Sequence, residues 1–161
     1  MYAVAFGTTS GGRRLLVSGG YDGKVRLWDP GSGDPIGECL TGHVHSVLSL
    51  AFNGQDEDRT RLASGGEDGT VRLWDLDTGQ QIGEPLMGHS NLVNSVVFGT
   101  GINQRPLLVS AGTDSTIRLW DPASGQPLKA LCRRVPATQI AARGNLFAIA
   151  DAEGLSIIAF D

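Results

Sequence analysis

The side chains of this 161-residue chain that could do chemistry are its three histidines, its two cysteines and a set of serine, aspartate and arginine residues. A zinc site needs three or four ligands at short spacings. His43, His45 and His89 have no further ligands at such a spacing, and neither Cys39 nor Cys132 lies in a C-x-x-C pair. We therefore expect no metal and no cofactor, and we interpret both cysteines as small core residues.

Two recurring groups could suggest ion binding. The Asp-Gly pairs in "YDGKVR" and "EDGTVR" match no 12-residue calcium loop, whereas Asp-Gly favours a turn between two strands. Arg26, Arg72 and Arg118 recur in one register and could form a basic ring for phosphate. Single arginines whose aliphatic stems pack between sheets are the favoured interpretation.

The composition indicates which classes of partner and which cellular compartment to expect. With a net charge of −4 and no cluster of Lys and Arg, the chain is not expected to bind nucleic acid. It shows neither a signal leader nor an apolar run of about 18 residues, so we expect no membrane partner. With only two cysteines, a reducing cytoplasmic location is the default.

An internal repeat supplies the elements that must position these residues. Trp-Asp and Gly-His pairs each recur at 46 residues. The pairs are Trp28-Asp29, Trp74-Asp75, Trp120-Asp121, Gly42-His43 and Gly88-His89. Each copy contains four runs of β-branched or aromatic residues bounded by Gly, Asp, Asn and Pro, and no stretch has a helical period. The class is all-β.

The repeat weakens after Asp121. "ATQIAA", "NLFAIAD" and "LSIIAFD" predict three more strands, with Phe160-Asp161 in place of Trp-Asp, and no strand follows. The sequence therefore predicts one domain over 1–161, made of three full units and an incomplete fourth. Their approximate limits are 1–41, 42–87, 88–132 and 133–161.

These motifs closely resemble the WD-repeat family, in which Gly-His precedes Trp-Asp in units of roughly 40–45 residues. Here Trp-Asp follows Gly-His by 31 positions in both copies that have it. The resemblance covers nearly the whole chain and implies a β-propeller, whose blades are sheets of four antiparallel strands. The expected architecture is three full blades plus an incomplete fourth, that is, a partial or small propeller.

The resemblance also implies a hydrogen-bonded network in each blade. It joins a His before the first strand, a Ser of the second strand, an Asp of the following turn and the Trp of the third strand. The sets here are His43, Ser64, Asp68, Trp74 and His89, Ser110, Asp114, Trp120, with Ser18, Asp22 and Trp28 in the first blade. The first blade has no His before its first strand, so we expect it to be less well tied.

Ser, His and Asp together also invite a hydrolase hypothesis. An active site is normally built once, but these residues recur in register with the blades, and no G-x-S-x-G elbow is present. We expect no enzymatic activity.

The resemblance implies a protein-interaction scaffold that binds a protein or peptide through loops on one propeller face. The expected contacts are the positions that differ between copies: Tyr2, Tyr21, Ser46, Leu48, Glu67, Leu92, Asn94 and Thr113. Of these, Tyr2, Tyr21 and Leu92 are the leading candidates for contact with a partner, because interfaces favour aromatic side chains and apolar groups that fill pockets. The alternative is an accessory segment of a larger signalling enzyme, such as a kinase or an ATPase.

Three full blades and an incomplete fourth are too few for an ordinary closed ring, because propellers typically close with 4–8 blades. Met1 stands where the later copies have Val47 and Val93, with no Gly-His before it, so we expect the chain to be a fragment of a longer protein. Otherwise the fourth blade closes on the first, or two chains associate into a ring of about eight blades.

Overall fold

The computed structural model describes residues 2–53, 61–101 and 104–159. Met1 and Phe160-Asp161, on which parts of the expectations above fall, lie outside the described residues. The described residues form fifteen β-strands in four antiparallel sheets and no α-helix. No helix in that part of the chain is long and apolar enough to cross a membrane.

The strands follow one another within each sheet in chain order. The first sheet contains β1 (Ala3–Thr8), β2 (Arg14–Gly19), β3 (Val25–Trp28) and β4 (Pro35–Leu40). The second contains β5 (Val47–Asn53), β6 (Arg61–Gly66), β7 (Val71–Asp75) and β8 (Gln80–Gln81). The third contains β9 (Val93–Thr100), β10 (Pro106–Gly112), β11 (Thr116–Trp120) and β12 (Pro127–Cys132). The fourth contains β13 (Ala137–Arg143), β14 (Leu146–Asp151) and β15 (Gly154–Ala159). The predicted class and the incomplete fourth sheet are confirmed.

The outer strand of the second sheet is shorter than the fourth run of the second copy, "QIGEPL" at 81–86, predicts. The structure has the two-residue strand β8 and, further on, an isolated bridge between Leu86 and Val71. Gly83 lies between them with φ of 65°, but its counterpart Gly37 has φ of 63° inside the continuous strand β4. The residue that differs is Pro85, which stands where the first copy has Cys39 and has no N–H to donate to the ladder.

One register recurs in the three complete sheets. Each Trp of the third strand lies opposite a Leu of the second, as Trp74 does opposite Leu62. Ser64 of the same second strand lies two residues beyond that Leu, on the same face. The indole and the hydroxyl are therefore diagonal neighbours in every copy.

The core lies between consecutive sheets rather than within any one of them. Between the first two, Val17 and Leu27 of the first sheet pack with Leu62 and Trp74 of the second. Two equivalent clusters join the second sheet to the third and the third to the fourth. Each large apolar side chain buried there stabilises the fold by roughly 1.5–3 kcal/mol.

The sheets fan out from a line of first strands: β1 contacts β5, β5 contacts β9, and β9 contacts β13. Among the described residues β1 makes no comparable contact with β13, so the arc is open. The two end sheets accordingly expose apolar side chains, with Phe6 73% and Ile157 68% accessible. The expectation that the fourth blade could close on the first is not met in the single chain.

Candidate functional site

The predicted residues of the second and third sheets form two continuous hydrogen-bonded chains, which we call the clasps. In the second sheet, Trp74 Nε1 donates to Ser64 Oγ over 2.8 Å, and Ser64 Oγ lies 2.8 Å from His43 Nε2. His43 Nδ1 lies 3.0 Å from both carboxylate oxygens of Asp68. The clasp therefore ties the loop before β5 to the turn after β6.

The third sheet repeats this geometry with its own residues. Trp120 Nε1 donates to Ser110 Oγ over 2.9 Å, and that oxygen lies 2.8 Å from His89 Nε2. His89 Nδ1 lies 3.0 Å from both oxygens of Asp114. Two sets of four residues thus adopt the same arrangement 46 residues apart.

A threonine that was not among the predicted residues completes each clasp. Thr70 donates to Asp68 Oδ1 from its hydroxyl at 2.8 Å and from its backbone N–H at 3.0 Å. Thr116 makes the same two contacts with Asp114. The signal was present as Asp-x-Thr at the repeat spacing, and the first copy has Lys24 at that position.

The hydrogens of each clasp can all be placed in one direction. Because the carboxylate accepts from the imidazole Nδ1–H, Nε2 keeps its lone pair and accepts the hydroxyl proton of the serine. The serine oxygen then accepts the indole N–H. A neutral imidazole therefore satisfies every member, which makes such a buried network stabilising rather than costly.

The carboxylates of the clasps are held in the ionised form. Burial raises the pKa of Asp68, but hydrogen bonds from His43 and Thr70 outweigh it and leave the pKa well below its ordinary value. Burial likewise opposes ionisation of Asp114, yet bonds from Thr116 and His89 lower its pKa to about 2. The pKa of His89 is lowered, because burial of the ring outweighs the attraction of Asp114.

The clasps are built to hold loops rather than to attack a substrate. Ser64 and Ser110 are fully buried, and each hydroxyl is already engaged by an indole and an imidazole. A nucleophile needs room beside it for the reacting carbon and for an oxyanion. Among the described residues, no three His, Cys, Asp or Glu side chains come together as a metal site.

The first sheet keeps half of the clasp and replaces the other half. Trp28 Nε1 donates to Ser18 Oγ over 2.8 Å, as in the later copies. Asp22, without an imidazole, instead pairs with Arg26, whose Nη2 lies 2.7 Å from Oδ2. This guanidinium lowers the pKa of Asp22 to about 2. The pair is largely exposed, so its contribution to stability is small.

The arginines at the same position in the next two sheets are used differently. A Cβ placed on Gly42 would lie 2.7 Å from Arg72 Nη1, and one on Gly88 would lie 2.6 Å from Arg118 Nη1. The glycine of each Gly-His pair therefore makes room for the guanidinium. Where Gly-His is missing, Arg26 turns to its own Asp22.

The fourth sheet carries a substitute for the clasp, made of residues that were not among the predicted ones. Arg133 Nη2 lies 2.5 Å from Asp151 Oδ2 and 2.9 Å from Ser156 Oγ. Hydrogen bonding to Arg133 lowers the pKa of Asp151, whose side chain is almost fully buried. A guanidinium from the preceding loop thus takes the role that an imidazole has in the second and third sheets.

The predicted partner contacts divide into exposed and covered residues. Tyr2 and Tyr21 are both exposed and lie side by side, with ring centroids 6.4 Å apart. Glu67 is also exposed. The half-buried members are Leu48, Leu92, Asn94 and Thr113.

Two of these positions serve the structure through their backbone. Ser46 accepts a hydrogen bond from Glu67 N over 2.8 Å, and Leu92 accepts one from Thr113 N over 2.9 Å. Ser46 is only 2% accessible, so its side chain does not reach the surface and does not belong to a contact face. Sequence differences alone could not show this, because Ser46 has no counterpart within the first copy.

Four successive antiparallel sheets that fan out from their first strands, two of them tied by a buried clasp, define a protein of the β-propeller class. The family described as "WD domain, G-beta repeat" matches residues 2–29, 33–75 and 79–121. The chain therefore belongs to the WD-repeat family. Its second and third matched units begin beside one sheet's outer strand and end on the Trp-Asp of the next sheet, so each spans two sheets.

Comparison with solved structures gives the same architecture. The crystal structure of the computationally designed Ika4 protein is similar to this chain, with a TM-score of 0.78 and 27% sequence identity. The similarity covers 99% of this chain and 90% of that one. A comparison with curated proteins finds no match.

Proposed function

We propose that this chain is a non-catalytic scaffold that binds a protein or peptide partner through the loops around Tyr2 and Tyr21. WD repeats generally mediate protein–protein interactions, which supports the class of function. The observation that carries the choice of surface is the exposed tyrosine pair, whose rings are 6.4 Å apart and inclined at 44°.

Two adjacent tyrosines suit recognition of a protein. Each ring offers apolar area and a hydroxyl that can donate or accept a hydrogen bond, and ordering it costs little entropy because it has few torsions. Tyr21 occupies the position held by Glu67 and Thr113 in the next two copies.

The proposal is tested by selecting binders from a peptide display library on the wild-type chain. Each binder is then measured against the double variant Tyr2→Ala/Tyr21→Ala. We expect its affinity to fall by about tenfold or more, since truncation of an aromatic hot spot costs upwards of 2 kcal/mol. Leu128→Ala, which alters an exposed side chain on the outer strand β12, is the matched control and should bind as the wild type does.

Unchanged affinity of the selected binders for the double variant would place the contact surface elsewhere and overturn the choice of the tyrosine pair. We further propose a cytoplasmic location, which the two free thiols of Cys39 and Cys132 support.

A further inference from the structure

The first sheet of the arc leaves uncovered a face that its later copies bury. We call the face that a sheet turns toward the preceding sheet its leading face. In the second sheet this face carries Phe52 and Trp74, which pack in the core against the first sheet. The register that aligns Phe52, Leu62 and Trp74 also aligns Phe6, Leu16 and Trp28.

The solvent exposure of the aromatic side chains shows that the leading face of the first sheet lacks a covering sheet. Trp74 and Trp120 are almost completely buried, whereas Trp28 is only partly buried. Phe6 is 73% accessible, and Val4, next to it on the same face, is also exposed. A large aromatic in the centre of a sheet face is a costly group to leave in water, and such faces mark interaction surfaces.

The fourth sheet leaves the opposite face uncovered. We call the face that a sheet turns toward the next sheet its trailing face. In the third sheet it carries Ile117 and Leu119, both buried against the fourth sheet. By register, Leu155 and Ile157 take the same places in the fourth sheet, and they are 72% and 68% accessible. Leu146 extends this apolar face along β14.

We propose that two copies of this chain close into one ring, in which the leading face of each first sheet packs on the trailing face of the other copy's fourth sheet. Every junction inside the chain joins a trailing face to the next leading face. A second copy offers both missing faces at once. Two arcs of four sheets give about eight blades, within the range at which propellers close.

The symmetry of this arrangement is closed. Each contact is heterologous, because a leading face meets a trailing face, and it occurs twice about a two-fold axis. No leading or trailing face then remains in water. The proposal therefore accounts for both uncovered faces with one contact.

One residue pair distinguishes the new junction from the internal ones. Phe52 lies over Gly7 of the first sheet, where a Cβ would come 2.2 Å from its ring. The register puts Arg143 of the fourth sheet at the position of Gly7. Asn53 already occupies this position in the second sheet, so a side chain is tolerated there. In the ring, the guanidinium of Arg143 can stack on Phe6 of the other copy.

The test is the mass of the full chain in solution, measured by size-exclusion chromatography with light scattering over a range of concentrations. The proposal expects twice the single-chain mass of 16.9 kDa. A single-chain mass at about 100 μM would overturn it. So would a ladder of growing oligomers, because an open series of contacts is not a closed ring.

Two substitutions test which faces meet. Phe6→Asp and Ile157→Asp each place a charge in both junctions of the ring, so each alone should weaken association by about 100-fold or more. If the first sheets met each other, Ile157→Asp would stay dimeric; if the fourth sheets met, Phe6→Asp would stay dimeric. Either result overturns the proposal. Leu128→Asp, exposed on β12, should leave the dimer unchanged.

Mixing the two variants guards against a folding artefact. A chain with Phe6→Asp keeps its trailing face, and a chain with Ile157→Asp keeps its leading face, so the mixture can form one intact junction. We expect more two-chain species in the mixture than in either variant alone. Equal amounts in all three samples would overturn the proposal, while the tyrosine-dependent binding above would stand or fall separately.

Discussion

At the scale of single residues, each clasp is a closed set of donors and acceptors. In the second sheet Ser64 is its centre, because its oxygen accepts a hydrogen bond from the indole N–H of Trp74 and its hydroxyl donates one to His43 Nε2. Removing the hydroxyl leaves two buried groups without partners. Leaving such a group buried and unpaired destabilises the fold by more than the net contribution of the hydrogen bond that is lost.

The first prediction concerns Ser64→Ala. We expect it to lower the free energy of unfolding by about 2–4 kcal/mol, because each stranded group costs roughly 1–3 kcal/mol. Ser18→Ala is the matched control: among the described residues the Ser18 hydroxyl bonds only Trp28, which is partly exposed, so the loss should be about 1 kcal/mol. Urea unfolding measures both, and equal losses would contradict the role assigned to the imidazole.

The second prediction is that protonation of His89 lowers the free energy of unfolding as the pH becomes acidic. Its pKa in the folded chain lies below the 6.5 of a free imidazole, so the unfolded chain binds the proton more tightly. The contribution of His89 to the free energy of unfolding is therefore complete above pH 6.5 and is lost as the pH falls below that value. Unfolding midpoints between pH 8 and pH 5 should fall less in His89→Gln than in the wild type.

NMR titration of the ring provides an independent measurement of this shift. A pKa of His89 at or above 6.5 in the folded chain would remove the basis of the second prediction. At lower pH the carboxylate follows: Asp114, with its pKa near 2, keeps its contribution above its unfolded value of 3.8 and loses it as the pH falls toward 2.

At the scale of elements, the turn after the second strand of each complete sheet holds one residue with a positive φ. Gly23 and Gly69 occupy this turn with φ of 73° and 76°, a region that glycine enters freely. The third copy has Ser115 there with φ of 61°. A side chain in this conformation is strained, and the repeat shows which residue would relieve it.

The third prediction is that Ser115→Gly stabilises the chain by roughly 0.5–1 kcal/mol, because the relief of strain exceeds the added entropy of the unfolded glycine. Thermal unfolding should show a higher midpoint. The reverse change, Gly69→Ser, should destabilise, since a Cβ there would lie 3.1 Å from the His89 carbonyl oxygen. A lower midpoint for Ser115→Gly would show that the serine side chain has a favourable role.

At the scale of the whole molecule, the three internal junctions are alike and the two ends are unfinished. The apolar faces around Phe6 and Ile157 are exposed to solvent among the described residues. Anything that binds the folded state alone raises its stability by mass action. A second copy does so by an amount that grows with the logarithm of its concentration.

The fourth prediction follows from this linkage and rests on the two-chain ring. The thermal unfolding midpoint of the wild type should rise when the protein concentration is raised from about 1 to 100 μM. The midpoint of Phe6→Asp should not change over the same range, because that chain lacks an intact junction. A midpoint independent of concentration in the wild type would contradict the ring.

The sequence by itself determined the repeat, the strands and their order, because these depend on local patterns: alternating apolar residues, turn residues and a spacing of 46. With the family resemblance, it also supplied both clasps, since His43, Ser64, Asp68 and Trp74 recur as a set. It did not supply the short β8, where Pro85 takes the place of Cys39 of the first copy and lacks the N–H that a ladder needs.

Only the tertiary structure decided how the gaps in the repeat are filled. Arg26 replaces an imidazole from within its own sheet, and Arg133 does so from the preceding loop. The structure also buried Ser46 and left Phe6 exposed. Each outcome depends on contacts between residues far apart in the chain, and whether a side chain is covered depends on its neighbouring sheet rather than on its own sequence.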